Sequence, residues 1–363
     1  MENLEINQLL ATAFNNKKVF VTGHTGFKGA WLCCWLKQLG AEVYGYSLAP
    51  EYDNGLYTFL PSTYFAANTI ADIRNVSLLE TQMQACKPDY LFHLAAQPLV
   101  RKSYKYPTET FDINVVGTSS VLQTAASLSN PCTIIVITTD KVYENKEQHI
   151  FYKETDTLGG YDPYSASKAC AELVVSSFRN SFFHPKDDHK HKKQLFSVRA
   201  GNVIGGGDWS QDRIIPDIVR FIQNNQPIPI RNPKAVRPWQ HVLEPICGYL
   251  QLAALVGTQN VTKTIAGAYN FGPLPSDHLT VEDIVNTAIK VFDKGTWLDI
   301  SNANQPHEAG LLQLDIQKAI QELNWKPKLS AQKAIEWTID WYKQPAEQKL
   351  SFTLQQIKDY SSL

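Results

Sequence analysis

No sign of charge dominates this sequence. Its 34 lysines and arginines face 35 aspartates and glutamates, a formal net charge of −1. With a pI near 6.8 it lacks the basic surplus that grips a phosphate backbone, and no nucleic-acid partner is expected. Paired cysteines are missing as well. The six thiols, Cys33, Cys34, Cys86, Cys132, Cys170 and Cys247, form no C-x-x-C motif and mostly sit in apolar runs. They read as reduced core thiols of a cytoplasmic protein, not as a disulfide framework. No apolar run approaches the ~20 residues of a membrane crossing, so no membrane partner is expected. The N-terminal MENLEINQLLATAFNN carries acids where a secretion signal needs bases. Fixed metal-ligand patterns are also lacking. His184, His189 and His191 share the polar stretch HPKDDHKHKK, a solvated loop with no rigid elements to hold ligands, and no metal is expected.

What is present is a chain of 363 residues, 44% hydrophobic, long enough for one sizeable domain and a smaller one. Short apolar strands at 17–23, 41–47, 64–70, 89–96 and 133–138 alternate with helical spacing at 27–40, 75–86 and 107–128. That alternation predicts an α/β fold, a Rossmann-type doubly wound parallel sheet covered on both faces. Beyond residue 200 the pattern changes to a Gly-rich loop, GNVIGGGDW, and then helices near 213–225, 241–256, 280–292, 315–323 and 330–343 with short strands between them. Thr280 with Asp283 has capping-box spacing, and Ser330 suits an N-cap. We expect residues 1–200 to form the dinucleotide-binding domain and 201–363 a smaller α/β C-terminal substrate lobe, some segments of which can return to the first domain.

The loop TGHTGFKG places Gly23, Gly26 and Gly29 between the first strand and the first helix. Gly23 suits a tight turn, Gly26 lets the backbone approach a pyrophosphate at the helix N-terminus, and Gly29 allows close helix packing. The second strand ends in Tyr46-Ser47-Leu48, with Glu51 and Asp53 further on. The acid that selects NAD is therefore not at its usual place, nor is the arginine that selects NADP. Asp72, after the third strand, is a candidate for an adenine amino group.

Two further clusters carry chemistry. In YDPYSASKACAEL, Tyr164 and Lys168 stand one helical turn apart. A phenol has a pKa near 10, and a neighbouring ammonium and an oxidised nicotinamide would both favour the phenolate. Tyr164 could then take a hydroxyl proton while hydride leaves the same carbon, with Lys168 lowering its pKa and holding the nicotinamide ribose. The strand 133–138 ends on Thr138, Thr139, Asp140 and Lys141. Thr139 can bond the same substrate oxygen. Asp140 and Lys141 are surplus to simple oxidation and point to a second proton transfer.

The glycine loop, the strand-end Thr, the Tyr–Lys pair, HLAAQPLV (93–100) and NVVGT (114–118) together resemble the extended short-chain dehydrogenase/reductase superfamily. Within it the chain is similar to the nucleotide-sugar 4,6-dehydratases. The runs GHTGFKGAWL, TTDK, GGYDPYSASK, SVRAGNVIGGGDW and RPWQHVLEP resemble their CDP-glucose branch, in which Lys replaces the usual Glu after the Asp. The resemblance implies NAD as cofactor, held by Gly23, Thr25, Gly26, Phe27, Gly29, Asp72, Ile73, Leu94, Ala95, Ala96, Tyr164 and Lys168. It implies CDP-glucose as substrate, oxidised at carbon 4, dehydrated across carbons 5 and 6 and reduced at carbon 6. Asp140 would protonate the departing hydroxyl. Lys141 would either remove the carbon 5 proton, which needs burial to make it neutral, or stay charged and stabilise the enolate. Gln97, Asn202, Arg237, His241 and His307 are the substrate-binding candidates, with Arg237 and Asn202 on the phosphates. Arg199, Arg213, Arg231 and Glu308 are weaker ones. Trp209 and Trp239 suit core packing better than stacking. His93 reads as a packed strand residue. The helices near 107–128 and 161–180 would pair with a twin in a homodimer or homotetramer. An epimerase, a dTDP- or GDP-sugar dehydratase, and a non-catalytic dinucleotide-sensing module stay open as alternatives.

Overall fold

The computed structural model describes residues 2–146, 148, 150–258, 265, 267–301 and 312–363. Its centre is one sheet of seven strands: β1 (Lys18–Thr22), β2 (Glu42–Ser47), β3 (Phe65–Ile70), β4 (Tyr90–His93), β5 (Cys132–Ile137), β6 (Lys193–Ala200) and β7 (Ala268–Phe271). The order is β7-β6-β5-β4-β1-β2-β3, and every pairing is parallel. All six residues of β5 and all four of β4 are buried. Successive side chains of a strand point to opposite faces, so the sheet feeds two cores. Val19, Val21, Phe92, Ile135 and Ile137 enter one, and Phe20, Leu91, Ile134 and Val136 the other. Strand order reverses between β1 and β4, which opens a crevice at their carboxyl ends. The glycine loop and the β5 end both face that region.

The expected helix at 107–128 is interrupted. A turn of π-helix, Asp112–Val116, separates Pro107–Phe111 from Gly117–Ala126. Such bulges recur at functional sites. Here the bulge aims Asn114 inward, where its amide bonds Gln97 and the Ser167 hydroxyl. Helices Glu2–Phe14 and Lys349–Ser362 had no counterpart in the sequence reading. They meet each other, with Asn7 donating to the Ser361 carbonyl at 2.9 Å. Thr280–Asp283 forms the capping box, and Ser330 caps its helix.

Past residue 200 the chain returns to the sheet as β7. The helix Leu243–Thr258 packs on β5 and on Glu2–Phe14. Short strand pairs, Val203–Ile204 with Gln240–His241 and Val236–Arg237 with Leu279–Thr280, frame the rest. Glu244 anchors the C-terminal segment. Its fully buried carboxylate accepts from the Lys328 and Leu329 amides and from the Tyr360 phenol. Burial pushes this carboxyl up to about 7. The unfolded chain loses that proton near pH 4.5 while the folded one keeps it to about 7, so stability falls as pH rises across this window, by roughly 3 kcal/mol. Glu244→Gln removes that slope; thermal unfolding at pH 5 and pH 8 measures it.

Candidate active site

Gly23 has φ of 76°, and a Cβ there would lie 2.7 Å from the Ala95 amide nitrogen. A Cβ on Gly29 would lie 2.1 Å from the Gly23 carbonyl. Both positions are closed to any side chain by backbone. Gly26 differs: its nearest neighbour would be the Gly23 carbonyl at 3.4 Å. Protein contacts do not demand glycine there. The open space lies before the Phe27–Gln38 helix, whose N-terminus has no side-chain cap. That cradle fits a dinucleotide pyrophosphate. Leu94 and Ala95 pass directly beside Gly23, tied by the Leu94 amide to the Thr22 carbonyl and the Ala95 amide to the Thr22 hydroxyl, and Ala96 follows them in the chain.

Other cofactor candidates have tasks of their own. Thr25 bonds Ser47 and the Leu48 carbonyl, joining the loop to the end of β2. Asp72 is gripped by Arg74 in a two-pronged pair that holds its carboxyl below the usual range. The Ile73 side chain is buried against Gly117, so only its backbone could face a ligand. Phe27 packs over Gly205.

The polar run after β5 disperses in four directions. Thr138 donates to Glu172 at 2.6 Å. The Thr139 hydroxyl donates to the Asp140 carboxylate at 2.8 Å and lies beside the Tyr164 phenol, which it favours as phenolate. Asp140 is 5% exposed and lies against Gly201, where a Cβ would collide with its Oδ2. Lys141 alone is exposed. The burial that its service as a base requires is absent.

Tyr164 and Lys168 project from the Pro163–Ser181 helix, started by Pro163 and capped by Asp162. Burial pushes the Tyr164 phenol up to about 12, while Thr139 and the charge of Arg213 pull it back. The Lys168 ammonium donates to the Ile137 carbonyl at 3.0 Å, and burial brings it down to about 8. Arg213, a weaker candidate from sequence, is a further cation whose charge acts on the phenol. Arg213 is itself paired with buried Asp208 at 3.0 Å. Lys28, one residue before Gly29, went unnoticed. Burial and the charges of Arg213 and Lys168 bring it down to about 7. Its only sequence signal was a charge inside an otherwise apolar helix start.

Beneath the site runs a network that sequence reasoning missed. Glu172 accepts from Arg199 Nε at 3.0 Å and Nη2 at 2.9 Å, and from Thr138 and Ser197. Arg199 also reaches the Tyr143 phenol at 2.7 Å. This corrects Arg199 as a phosphate candidate: its guanidinium is enclosed and spoken for.

His241 is also corrected. It is fully buried between the indoles of Trp31 and Trp337, and burial lowers its pKa to about 3. The inward turn of the short Gln240–His241 strand puts it there. Gln97 likewise spends its amide on Leu99 and Thr110, leaving its nitrogen no hydrogen to donate to a sugar. His93 is packed, bonding Thr22 and Thr118. Arg231 pairs with Asp212. Trp209 donates to the Asn54 carbonyl, and Trp239 is 9% exposed. Asn202, at φ of 50°, and half-buried Arg237 flank Gly201 and Pro238, which line a cavity that Asp140 faces. His307 and Glu308 lie outside the described residues. In the histidine-rich stretch, the backbone occupies ring nitrogens of His184 and His191. Among the described residues no cluster could hold a metal ion, and no helix is long and apolar enough to cross a membrane.

A family model described as GDP-mannose 4,6 dehydratase matches residues 20–338. The chain is 45% identical over 352 residues to a CDP-glucose 4,6-dehydratase of Salmonella typhimurium, covering 96% of this chain and 97% of the relative. It is 26% identical to a CDP-paratose 2-epimerase of Salmonella typhi, across 89% of this chain and 98% of that one. Among solved structures, the dTDP-glucose 4,6-dehydratase DesIV of Streptomyces venezuelae, crystallised with NAD, superposes with a TM-score of 0.74 at 21% identity. It covers 90% of this chain and 96% of its own, and at that identity it speaks to the fold. On the family match and the near full-length relative, this chain belongs to the GDP-mannose 4,6-dehydratase family.

Proposed function

We propose that the protein is an NAD-dependent 4,6-dehydratase that converts CDP-glucose to CDP-4-dehydro-6-deoxyglucose. The observation that carries this reading is the enclosed carboxyl of Asp140, which accepts from the Thr139 hydroxyl beside the Tyr164 phenol. An epimerase needs the phenol and no such acid. The choice of CDP-glucose rests on the 45% identical relative.

NAD would be held on the cradle of Gly23, Gly26 and Gly29, where it would supply a hydride acceptor for carbon 4 and a hydride donor for carbon 6. The chain's residues do the proton work. Tyr164 takes the proton of the 4-hydroxyl, with Thr139 bonded to the same oxygen. Lys168 and Arg213 supply the positive field that favours phenolate. Once carbon 4 is a ketone, the carbon 5 hydrogen is acidic; it passes as a proton to water on the open side where exposed Lys141 faces the developing enolate, and water returns a proton to carbon 5 after the elimination. Asp140 protonates the leaving 6-hydroxyl. Arg237 and Asn202 hold the phosphates, residues 201–363 forming most of the substrate side. The enzyme acts in the cytoplasm as a homodimer or homotetramer. Exposed Val116 and Leu173, at 53% and 59%, lie on the two helices assigned to that contact.

The test is incubation with CDP-, dTDP-, GDP- and UDP-glucose, scoring the alkaline absorbance of a 4-keto sugar. Turnover of another sugar and none of CDP-glucose would overturn the substrate. The glycine cradle has its own test. Gly26→Ala has room for its methyl, so the thermal midpoint holds while NAD binding weakens about tenfold or more. Gly29→Ala meets backbone, so both fall, stability by ~1–3 kcal/mol.

A further inference from the structure

The reaction proposed above has a proton imbalance on the protein. Each turnover breaks the O4–H bond and leaves that proton on Tyr164. Each turnover also breaks the carbon 6–oxygen bond, and the departing hydroxyl takes a proton from Asp140 to become water. The hydride leaves carbon 4 and arrives at carbon 6, so there is no net redox change. The carbon 5 proton is removed and replaced. Because the product keeps its ketone, the O4 proton is never given back to the sugar. Tyr164 therefore ends one proton richer, and Asp140 one proton poorer.

The same two groups meet through one hydroxyl. Thr139 Oγ1 donates to Asp140 Oδ1 at 2.8 Å, and its hydroxyl lies beside the Tyr164 phenol that it acts on. We propose that Thr139 is a proton relay that carries the proton taken from O4 by Tyr164 to Asp140, where it leaves in the water eliminated in the next turnover. The Tyr164 O–H breaks as a new Thr139 O–H forms, and the old Thr139 O–H breaks as an Asp140 O–H forms. Thr139 is unchanged, and the proton that reaches Asp140 does not come from solvent. The relay rests on the dehydratase reading and deepens it. It also explains how a phenolate and a carboxylic acid coexist at neutral pH. They are one internal transfer away from the resting phenol and carboxylate, and each turnover ends in that resting form.

The surroundings of Asp140 favour this source. Its second oxygen lies against Gly201. The cavity it faces is walled largely by Phe151, Pro238, Pro273, Pro275 and Leu314. Among the described residues, the one other titratable group lining that cavity is His278, whose Nε2 is hydrogen-bonded to the Gln313 amide at 2.8 Å. The charged groups acting on the phenol are Arg213, Asp140 and Asp162.

Thr139→Val and Thr139→Ser test the relay, with oxidation and dehydration timed separately by rapid mixing with CDP-glucose. Thr139→Val is expected to shift oxidation to higher pH, because the phenol must then release its proton to water, and at that pH to slow dehydration ~100-fold more than oxidation, the scale of one proton-transfer contribution. Reduced nicotinamide then accumulates, and small buffer acids such as formic acid restore dehydration in proportion to their concentration. Thr139→Ser, which keeps the hydroxyl, recovers the step without buffer dependence. Equal loss of both steps, unmoved by buffer, overturns the relay. So does uncoupling by His278→Asn instead, since the proton would then cross the cavity. A readout without turnover uses protein loaded with NAD. The phenolate ultraviolet band, blanked with Tyr164→Phe, and the carboxylic-acid infrared band, blanked with Asp140→Asn, are expected to rise together at constant pH. Phenolate without acid, or neither band, overturns the relay. Wild-type protein that makes no 4-keto sugar would sink the dehydratase reading, and the two bands would still decide the relay.

Discussion

Asp140→Asn is expected to keep oxidation at carbon 4 and to cut formation of the 4-keto-6-deoxy product by about 10²–10⁴-fold, the usual worth of a positioned general acid. The amide keeps the shape of the carboxyl, which matters because Asp140 fills the space over Gly201. It has no acidic proton to give the 6-hydroxyl. The measured signs are reduced nicotinamide that builds up on mixing with CDP-glucose and sugar that keeps its carbon 6 oxygen. Oxidation should shift to higher pH, because the phenol has lost its internal acceptor and must release its proton to water. Equal loss of both steps would contradict the role given to Asp140.

Glu172→Ala is expected to be the most destabilising single change near the site. It would leave the Arg199 guanidinium, 4% exposed at its side chain, without its counter-ion. Breaking a buried pair from one side typically costs about 3–5 kcal/mol. Thr138 and Ser197 would lose their acceptor in the same step. The effect reaches the chemistry through Lys168. Burial lowers that ammonium to about 8, and the charge of Glu172 pulls it back up. Without Glu172 the ammonium loses its proton at lower pH. Activity that needs positive charge on Lys168 is present below that pKa and lost above it, so the alkaline limb moves to lower pH. Thermal unfolding measures the first effect and the pH profile the second. An alkaline limb that stays in place while stability falls would separate Glu172 from Lys168.

The framework of the molecule was legible along the chain. The apolar run at 134–137 ending in TTDK reads as a strand covered on both faces, and the glycine spacing places a helix N-terminus directly after β1. Tyr164 and Lys168 were readable because four residues of helix put them on one face. The interruption at Asp112–Val116 was not, because a π turn leaves apolar spacing nearly unchanged. His241 misled because a polar residue in a motif looks functional, whereas its neighbours Trp31 and Trp337 come from distant parts of the chain.

The sequence alone determined the sheet, the phosphate cradle and the roster of reactive groups, since these follow from local periodicity, from turns and from side-chain chemistry. Tertiary structure alone decided which charges act in concert. Arg199 was enclosed by Glu172, Arg213 was turned toward the phenol, Lys141 was left in water, and Asp140 was bonded to Thr139 beside the Tyr164 phenol. Those outcomes depend on burial and on distances of a few ångströms between residues far apart in the chain, and electrostatic coupling is set by both.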